Sequence, residues 1–236
     1  MLTSAILLAG GNSQRISTND KTTIVFNNKT VLEYSLDKLQ NHTNIHFITI
    51  VCSEKNKNTI NQFKSKYNKI HNIVLGGDNR LRSLIIGFQN SFKSDITLVH
   101  DAARPLITER LISESIDIAS KYKSGIPVIH QTDSTYVVSN KTLTQSLDRS
   151  NIIGSQTPQA YNTKMIDQIL EVINVKKSEI LFNDLPELLI SNNITPYTFT
   201  GEKYNIKLTF DDDINIMRKI LEKWKTMLVL VLIPID

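Results

Sequence analysis

Several stretches of this 236-residue chain carry groups suited to handling anions. The first is Ala5-Ile6-Leu7-Leu8-Ala9-Gly10-Gly11-Asn12-Ser13-Gln14-Arg15, with Lys21 one short loop further on. An apolar run that ends in Gly-Gly lets backbone N–H groups approach a phosphate closely. Arg15 and Lys21 add the cationic charge that a triphosphate needs. The spacing fits neither G-x-G-x-x-G nor G-x-x-x-x-G-K-[ST], which argues against a dinucleotide site and an ordinary P-loop.

A second stretch is Val99-His100-Asp101-Ala102-Ala103-Arg104-Pro105. A carboxylate at the end of an apolar run can hold Mg²⁺, which in turn grips phosphates. Arg104 could bind another anion. The same residues also suit a helix cap at Asp101 with Arg104 as its ion-pair partner. His100 reads as a packed histidine. In Gly76-Gly77-Asp78-Asn79-Arg80-Leu81-Arg82-Ser83, the amides with Asp78 and Ser83 could read a base or ribose, or form a turn followed by a Ser cap. Asp148-Arg149 and Thr157 offer polar and cationic groups for a phosphate on a second substrate. Lys207 is unusual because it interrupts an apolar strand pattern.

These residues need a scaffold that brings distant loops together. Ser4–Leu8, His46–Cys52, Ile70–Leu75, Asp95–His100 and Gly125–Ile129 read as buried strands, since they lack polar alternation. Between them, 30–40, 55–67, 82–91 and 109–121 fit helices. Such alternation implies an α/β fold with a doubly wound, mainly parallel sheet, Rossmann-like in character. Right-handed crossovers place all its strand C-termini on one edge, where ligands bind. The loops after Leu8, Leu75 and His100 should therefore meet.

Residues 130–152 break this rhythm. Ser134–Ser139 and Leu143–Leu147 suggest a hairpin around Asn140-Lys141, either an ordinary surface hairpin or an arm that exchanges with a partner subunit. Beyond it lie a helix over 163–172, a loop at Asn183-Asp184-Leu185-Pro186, strands at Ile194–Thr200 and Ile206–Phe210, and a helix over 211–225. We expect one domain over 1–225, with the arm at about 130–152, and an apolar tail over 226–236 that could be an added strand or the stub of a second domain.

Composition narrows the function classes. The net charge of +4 is dispersed, and no basic block accompanies aromatic residues, which favours an anionic small molecule over nucleic acid. The single cysteine, Cys52, lies in an apolar run and can form no internal disulfide, as in a reducing, cytoplasmic setting. It reads as a core thiol. No signal peptide is expected, and Met227–Ile235 is too short to span a bilayer. No Cys/His spacing suggests zinc.

The stretches LLAGGNSQR, GGDNRLRS, VHDAARP, LDRS, QTPQAY and NIKLTFDDD together resemble the CTP-dependent cytidylyltransferases of small polyol phosphates. They cover about residues 4–220 in family order. The resemblance implies a GT-A-like nucleotidyltransferase fold and transfer of CMP from CTP to a polyol phosphate. 2-C-methyl-D-erythritol 4-phosphate, an isoprenoid precursor, is the favoured acceptor and ribitol 5-phosphate the alternative. It implies that Ala9, Gly10, Gly11 and Ala102 bind the nucleotide, with Gly77, Asp78 and Ser83 at cytidine. Arg15, Lys21 and Lys207 would act on the reacting phosphates, and Asp101 would hold Mg²⁺ or another divalent cation. Arg104, Ser134, Arg149, Thr157 and Asn183 would bind the polyol phosphate. Arg149 would act in trans across a homodimer built on the arm.

The chain departs from the family pattern in places. Ser13 replaces a usual glycine, and Asp20-Lys21-Thr22 replaces Pro-Lys-Gln. Asp20 sets a negative charge beside the phosphate-binding lysine, so weakened CTP binding or a degenerate, CTP-binding homologue is the alternative expectation. In the arm, Tyr136 replaces a lysine, and Asn183 replaces a threonine.

Overall fold

The fold is described from a computed structural model covering residues 1–11, 20–176 and 182–231, with side chains described except at 172–176 and 224–231. Ser13 and Arg15 lie outside these residues. In chain order, β1 (Thr3–Leu8) leads to a small ribbon, β2 (Val25–Phe26) and β3 (Lys29–Thr30). Then come α1 (Val31–Asn41), β4 (Phe47–Cys52), α2 (Lys57–Asn61), β5 (Ile70–Leu75), α3 (Arg80–Gln89), β6 (Ile96–Asp101), α4 (Glu109–Tyr122) and β7 (Ser124–His130). The second half adds β8 (Thr135–Ser139), β9 (Thr142–Leu147), β10 (Ile153–Ser155), β11 (Gln159–Asn162), α5 (Thr163–Lys176), α6 (Leu185–Ser191), β12 (Thr198–Thr200) and α7 (Asp211–Val231).

The main sheet runs in the order β10-β7-β11-β6-β1-β4-β5, with β12 also on β7. β1 pairs in parallel with both β4 and β6, and β4 with β5. Buried on both faces, these strands are uniformly apolar. Ala5 and Leu7 face one core with Leu32, Leu36 and Leu39 of α1 and Ile112 and Ile116 of α4. Ile6 faces the other, with Leu81 and Leu84 of α3 and Ile166 of α5. A third cluster joins Phe26, Leu106, Leu208 and Met217, which docks α7. α1 starts cleanly because Thr30 and Glu33 form a reciprocal capping box.

The expected parallel sheet is present, and the differences from expectation are local. β11 is antiparallel and inserts between β6 and β7, while β10 is antiparallel on β7. Both are too short, at three and four residues, to show a period. The helix expected over 55–67 is only α2 followed by a 3-10 turn at Gln62–Ser65, since Asn58, Thr59 and Asn61 are weak helix formers. α3 begins at Arg80, and its cap is Asn79 rather than Ser83. Of Ile194–Thr200 only Thr198–Thr200 is strand. Ile206–Phe210 is not a strand: Leu208 N–H donates to Ala103 O at 2.9 Å, with no ladder around it. The run after Trp224 continues α7 to Val231, so it is not an added strand there.

The hairpin expected within 130–152 forms its own two-stranded sheet, β8 with β9, off the main one. Asn140 and Lys141 both have positive φ, at 48° and 65°. That is the geometry a two-residue hairpin turn demands.

Candidate active site

Ala9 N–H donates to Val51 O at 2.7 Å and Gly76 N–H to Cys52 O at 2.8 Å, which gathers the C-terminal ends of β1, β4 and β5. Above this edge lies a cavity of about 540 Å³. Ala9, Gly10, Gly11, Lys21, Gly77, Asp78, Ser83, Asp101 and Lys207 all line it, as does Arg80. The sheet edge thus unites residues spread over most of the chain, as its topology requires.

Asp101 is the electrostatic centre. Its side chain is 9% exposed and carries a cation on each oxygen. Arg80 Nη2 and Nε donate to Oδ1 at 3.1 and 3.3 Å, and Lys207 Nζ donates to Oδ2 at 2.7 Å. Burial alone would raise the Asp101 pKa, but Arg80, Lys207 and Arg104 outweigh it and hold the carboxyl well below its ordinary range. One carboxylate against two cations leaves the group formally positive. Lys21 Nζ, which donates to Leu208 O at 3.2 Å, adds charge on the same wall. Arg80 was not among the expected residues. Its signal was only an arginine inside the second glycine motif. Asp101 is not a helix cap: Thr108 caps α4.

The two glycine turns differ. A Cβ on Gly10 would sit 3.0 Å from Cys52 O, whereas one on Gly11 would meet nothing within 4 Å. Gly10 is therefore needed for the close packing of β1 against β4, and Gly11 keeps its backbone open to the cavity. In the second turn, Gly77 N–H donates to Ser83 Oγ at 3.1 Å, and Asp78 pairs with Arg82 at 3.5 Å on the surface. Ser83 thus braces its own turn. Asp20 does not aim at the cavity as a bare charge. It caps the short 3-10 helix Lys21–Thr23, accepting from Thr22 N–H and Thr22 Oγ1 at 2.8 and 2.7 Å.

The expected polyol residues lie elsewhere. Ala102, expected at the nucleotide rather than the polyol, is fully buried and does not line the cavity. Arg104 Nη1 donates to Asn205 O at 2.7 Å, and its Nε is buried without a hydrogen-bond partner. Thr157 is 2% exposed. Its Oγ1 accepts from Asp101 N–H at 3.1 Å and lies 3.2 Å from His100 Nδ1. Ser134 and Arg149 are exposed at the foot of the arm, where Arg149 Nη1 donates to Thr132 O at 2.9 Å. Asn183 is exposed and donates to Glu187. None of these residues lines the cavity of the single chain. Cys52 lies under the cavity floor, and burial raises its pKa, which disfavours a nucleophilic thiolate. Among the described residues no cluster of three or more His, Cys, Asp or Glu could hold a metal by itself.

A mostly parallel sheet with helices on both faces and a cationic cavity at its strand ends defines an α/β nucleotidyltransferase-like protein. The structure of 4-diphosphocytidyl-2C-methyl-D-erythritol synthase from Anaerococcus prevotii superposes with a TM-score of 0.81 at 25% identity, covering 94% of this chain and 98% of that one. The IspD family model, 2-C-methyl-D-erythritol 4-phosphate cytidylyltransferase, matches residues 3–223, and the chain belongs to this family. A protein of that description from Clostridium acetobutylicum is 32% identical over 225 residues, covering 93% of this chain and 97% of its own. The bifunctional IspDF of Campylobacter jejuni aligns with a TM-score of 0.75 and 25% identity, covering 91% of this chain and 54% of that longer one.

Proposed function

We propose that this chain transfers a cytidylyl group from CTP to 2-C-methyl-D-erythritol 4-phosphate and releases pyrophosphate. The observation that carries the reading is the convergence of Lys21, Arg80, Asp101 and Lys207 with two glycine turns in one cavity. A phosphate oxygen of the acceptor forms a new bond to the α-phosphorus of CTP. The bond from that phosphorus to the β-phosphate oxygen breaks, and its electron pair leaves with pyrophosphate. No covalent enzyme intermediate is required, so placement and charge compensation do the work. Lys21 and Lys207, which line the cavity, would compensate the charge that builds up, and family resemblance assigns Arg15 to the same task. The open amide of Gly11 suits the triphosphate, and the Gly77–Ser83 turn suits the cytosine.

A divalent cation such as Mg²⁺ fits this donor set. Such ions bind through one or two carboxylates together with substrate phosphates. Asp101 supplies one carboxylate, whose oxygens keep lone pairs beyond those used by Arg80 and Lys207. When bound, the ion neutralises phosphate charge. Asp101 is the residue that would hold it.

The arm supports a homodimer. Tyr136, Val138 and Leu143 are 45, 64 and 68% exposed on one small hairpin, which suits burial against a second copy. Arg149 at its foot would then reach the partner's acceptor site. No helix among the described residues is long and apolar enough to cross a membrane. The isolated thiol fits a cytoplasmic setting.

The test is pyrophosphate release from CTP and Mg²⁺ with a panel of polyol phosphates. Turnover with methylerythritol phosphate is expected. Turnover only with ribitol 5-phosphate would transfer the substrate assignment, and CTP binding without turnover on any acceptor would sink the enzymatic reading.

A further inference from the structure

Asp20 departs from the family pattern beside Lys21, yet both oxygens of its carboxylate accept hydrogen bonds. Oδ1 takes the two donors of Thr22. Oδ2 accepts from Asn56 Nδ2 at 2.7 Å. Asn56 is 2% exposed. Its amide nitrogen also donates to Ala9 O at 2.8 Å, and its Oδ1 accepts from Ser53 N–H at 2.9 Å. One buried side chain therefore ties together the end of β1, the loop after β4 and the turn that carries Lys21. Only a carboxamide offers two N–H donors and an acceptor in one plane. Aspartate at this position would set two carboxylates against each other. Leucine of similar size would leave Ala9 O and the Asp20 carboxylate short of a donor.

From this geometry we propose that Asp20 and Asn56 form a latch: they are positioning residues that fix the turn bearing Lys21 against the first glycine turn. The negative charge at position 20 serves the site by anchoring the lysine's backbone. The tether of Lys21 Nζ to Leu208 O holds the far end of the same side chain against the segment that carries Lys207. The backbone is thus held by the latch and the amine by the C-terminal segment. This inference rests on the cytidylyltransferase reading for its kinetic consequence but not for its structural one.

The experiment is a kinetic double-mutant cycle joined to a chemical probe that does not depend on turnover. Asn56→Leu and Asp20→Ala should each lower kcat about tenfold or more, with KM for CTP changed less than about threefold. In a Lys21→Ala background, neither should lower kcat appreciably further, because the latch acts through that lysine. Fully additive losses would overturn the proposal. The swap Asp20→Asn with Asn56→Asp restores one donor–acceptor pair and should recover part of the activity lost in Asn56→Asp alone; no recovery counts against the latch. In parallel, acetylation of Lys21 by acetic anhydride, followed by mass spectrometry, should accelerate about threefold or more when the turn loosens. Asp20 is only partly buried, so Asp20→Ala serves if Asn56→Leu does not fold. An unchanged labelling rate in the folded variants overturns the latch even if the wild type proves inactive. An inactive wild type with accelerated labelling in the variants would sink the enzymatic reading alone.

Discussion

His100 provides a sharp test of the electrostatics behind Asp101. It is fully buried, with Nε2 3.1 Å from Arg104 O and Nδ1 3.2 Å from Thr157 Oγ1. A carbonyl can only accept, so Nε2 carries the proton and Nδ1 accepts from the Thr157 hydroxyl. Burial pushes the His100 pKa down to about 4, against partial opposition from the Asp101 charge. A histidine whose folded pKa lies below its unfolded value takes up its proton on unfolding. Its contribution is therefore fully present above about pH 6.5 and is lost as pH falls toward the folded pKa. Between pH 7 and 4.5 the linkage amounts to about 2 kcal/mol, or roughly 4–8 °C in Tm for a chain of this size. Urea denaturation of wild type and His100→Gln across that range isolates the term. His42, whose pKa burial also lowers, contributes equally to both proteins. The variant should be less stable at pH 7 and should lose about 2 kcal/mol less on acidification. Identical pH slopes, or an imidazole of His100 that titrates near pH 6.5 by NMR, would refute the reasoning.

Other perturbations follow from the same cluster. Arg80→Met leaves Lys207 as the ion-pair partner of Asp101, with Arg104 acting only from a distance, and should cost about 1–3 kcal/mol in urea denaturation; adding Asp101→Asn should relieve part of that cost, and strict additivity would count against the pairing. Lys207→Ala should reduce kcat by about 10²–10³ if the amine compensates developing phosphate charge, while unchanged kcat would remove it from the reacting groups. Co-expressing an Arg149→Ala chain with a Lys21→Ala chain should restore part of the activity in mixed dimers, because one composite site would then be intact; confirmed heterodimers without recovery would show that Arg149 does not act across the interface.

The sequence revealed the scaffold wherever burial leaves a simple trace. β1, β4 and β6 are buried on both faces, so their apolar runs stand out, and the topology then forces Gly10, Gly77 and Asp101 to one edge. What it hid has physical reasons too. β11 is held by its neighbours rather than by its own four residues. Asn56 sits in a polar stretch, Ser53–Asn58, where no pattern separates a buried amide from a solvated one. Around Lys207, Leu208 is buried while Lys207 turns the other way, to the cavity. However, alternation reports which side faces the core and not whether a neighbouring strand exists. The segment stands beside Ala103 with a single backbone hydrogen bond.

The division between residues inside and outside the cavity follows from the same logic. Every expected residue that lines it sits on a parallel-strand end, on a loop tied to one, or on the Lys207 segment that reaches Asp101. Ser134 and Arg149 belong to a hairpin that has left the sheet, so the strand-end rule says nothing about where they act. Thr157 has its hydroxyl proton directed at His100, with one lone pair taken by Asp101 N–H. It can therefore accept but not donate toward an acceptor phosphate, and an ionised phosphate oxygen offers no proton in return. The task left to Thr157 in this geometry is to hold the backbone of Asp101, and through it the carboxylate on which Arg80 and Lys207 converge. On the proposed reading, the acceptor's phosphate would be bound by groups with protons to give. Arg104 keeps a buried Nε without a hydrogen-bond partner, and Arg149 is exposed. Thr157→Val should on this argument disturb kcat more than the KM for the polyol phosphate, and the reverse pattern in steady-state kinetics would return Thr157 to the substrate.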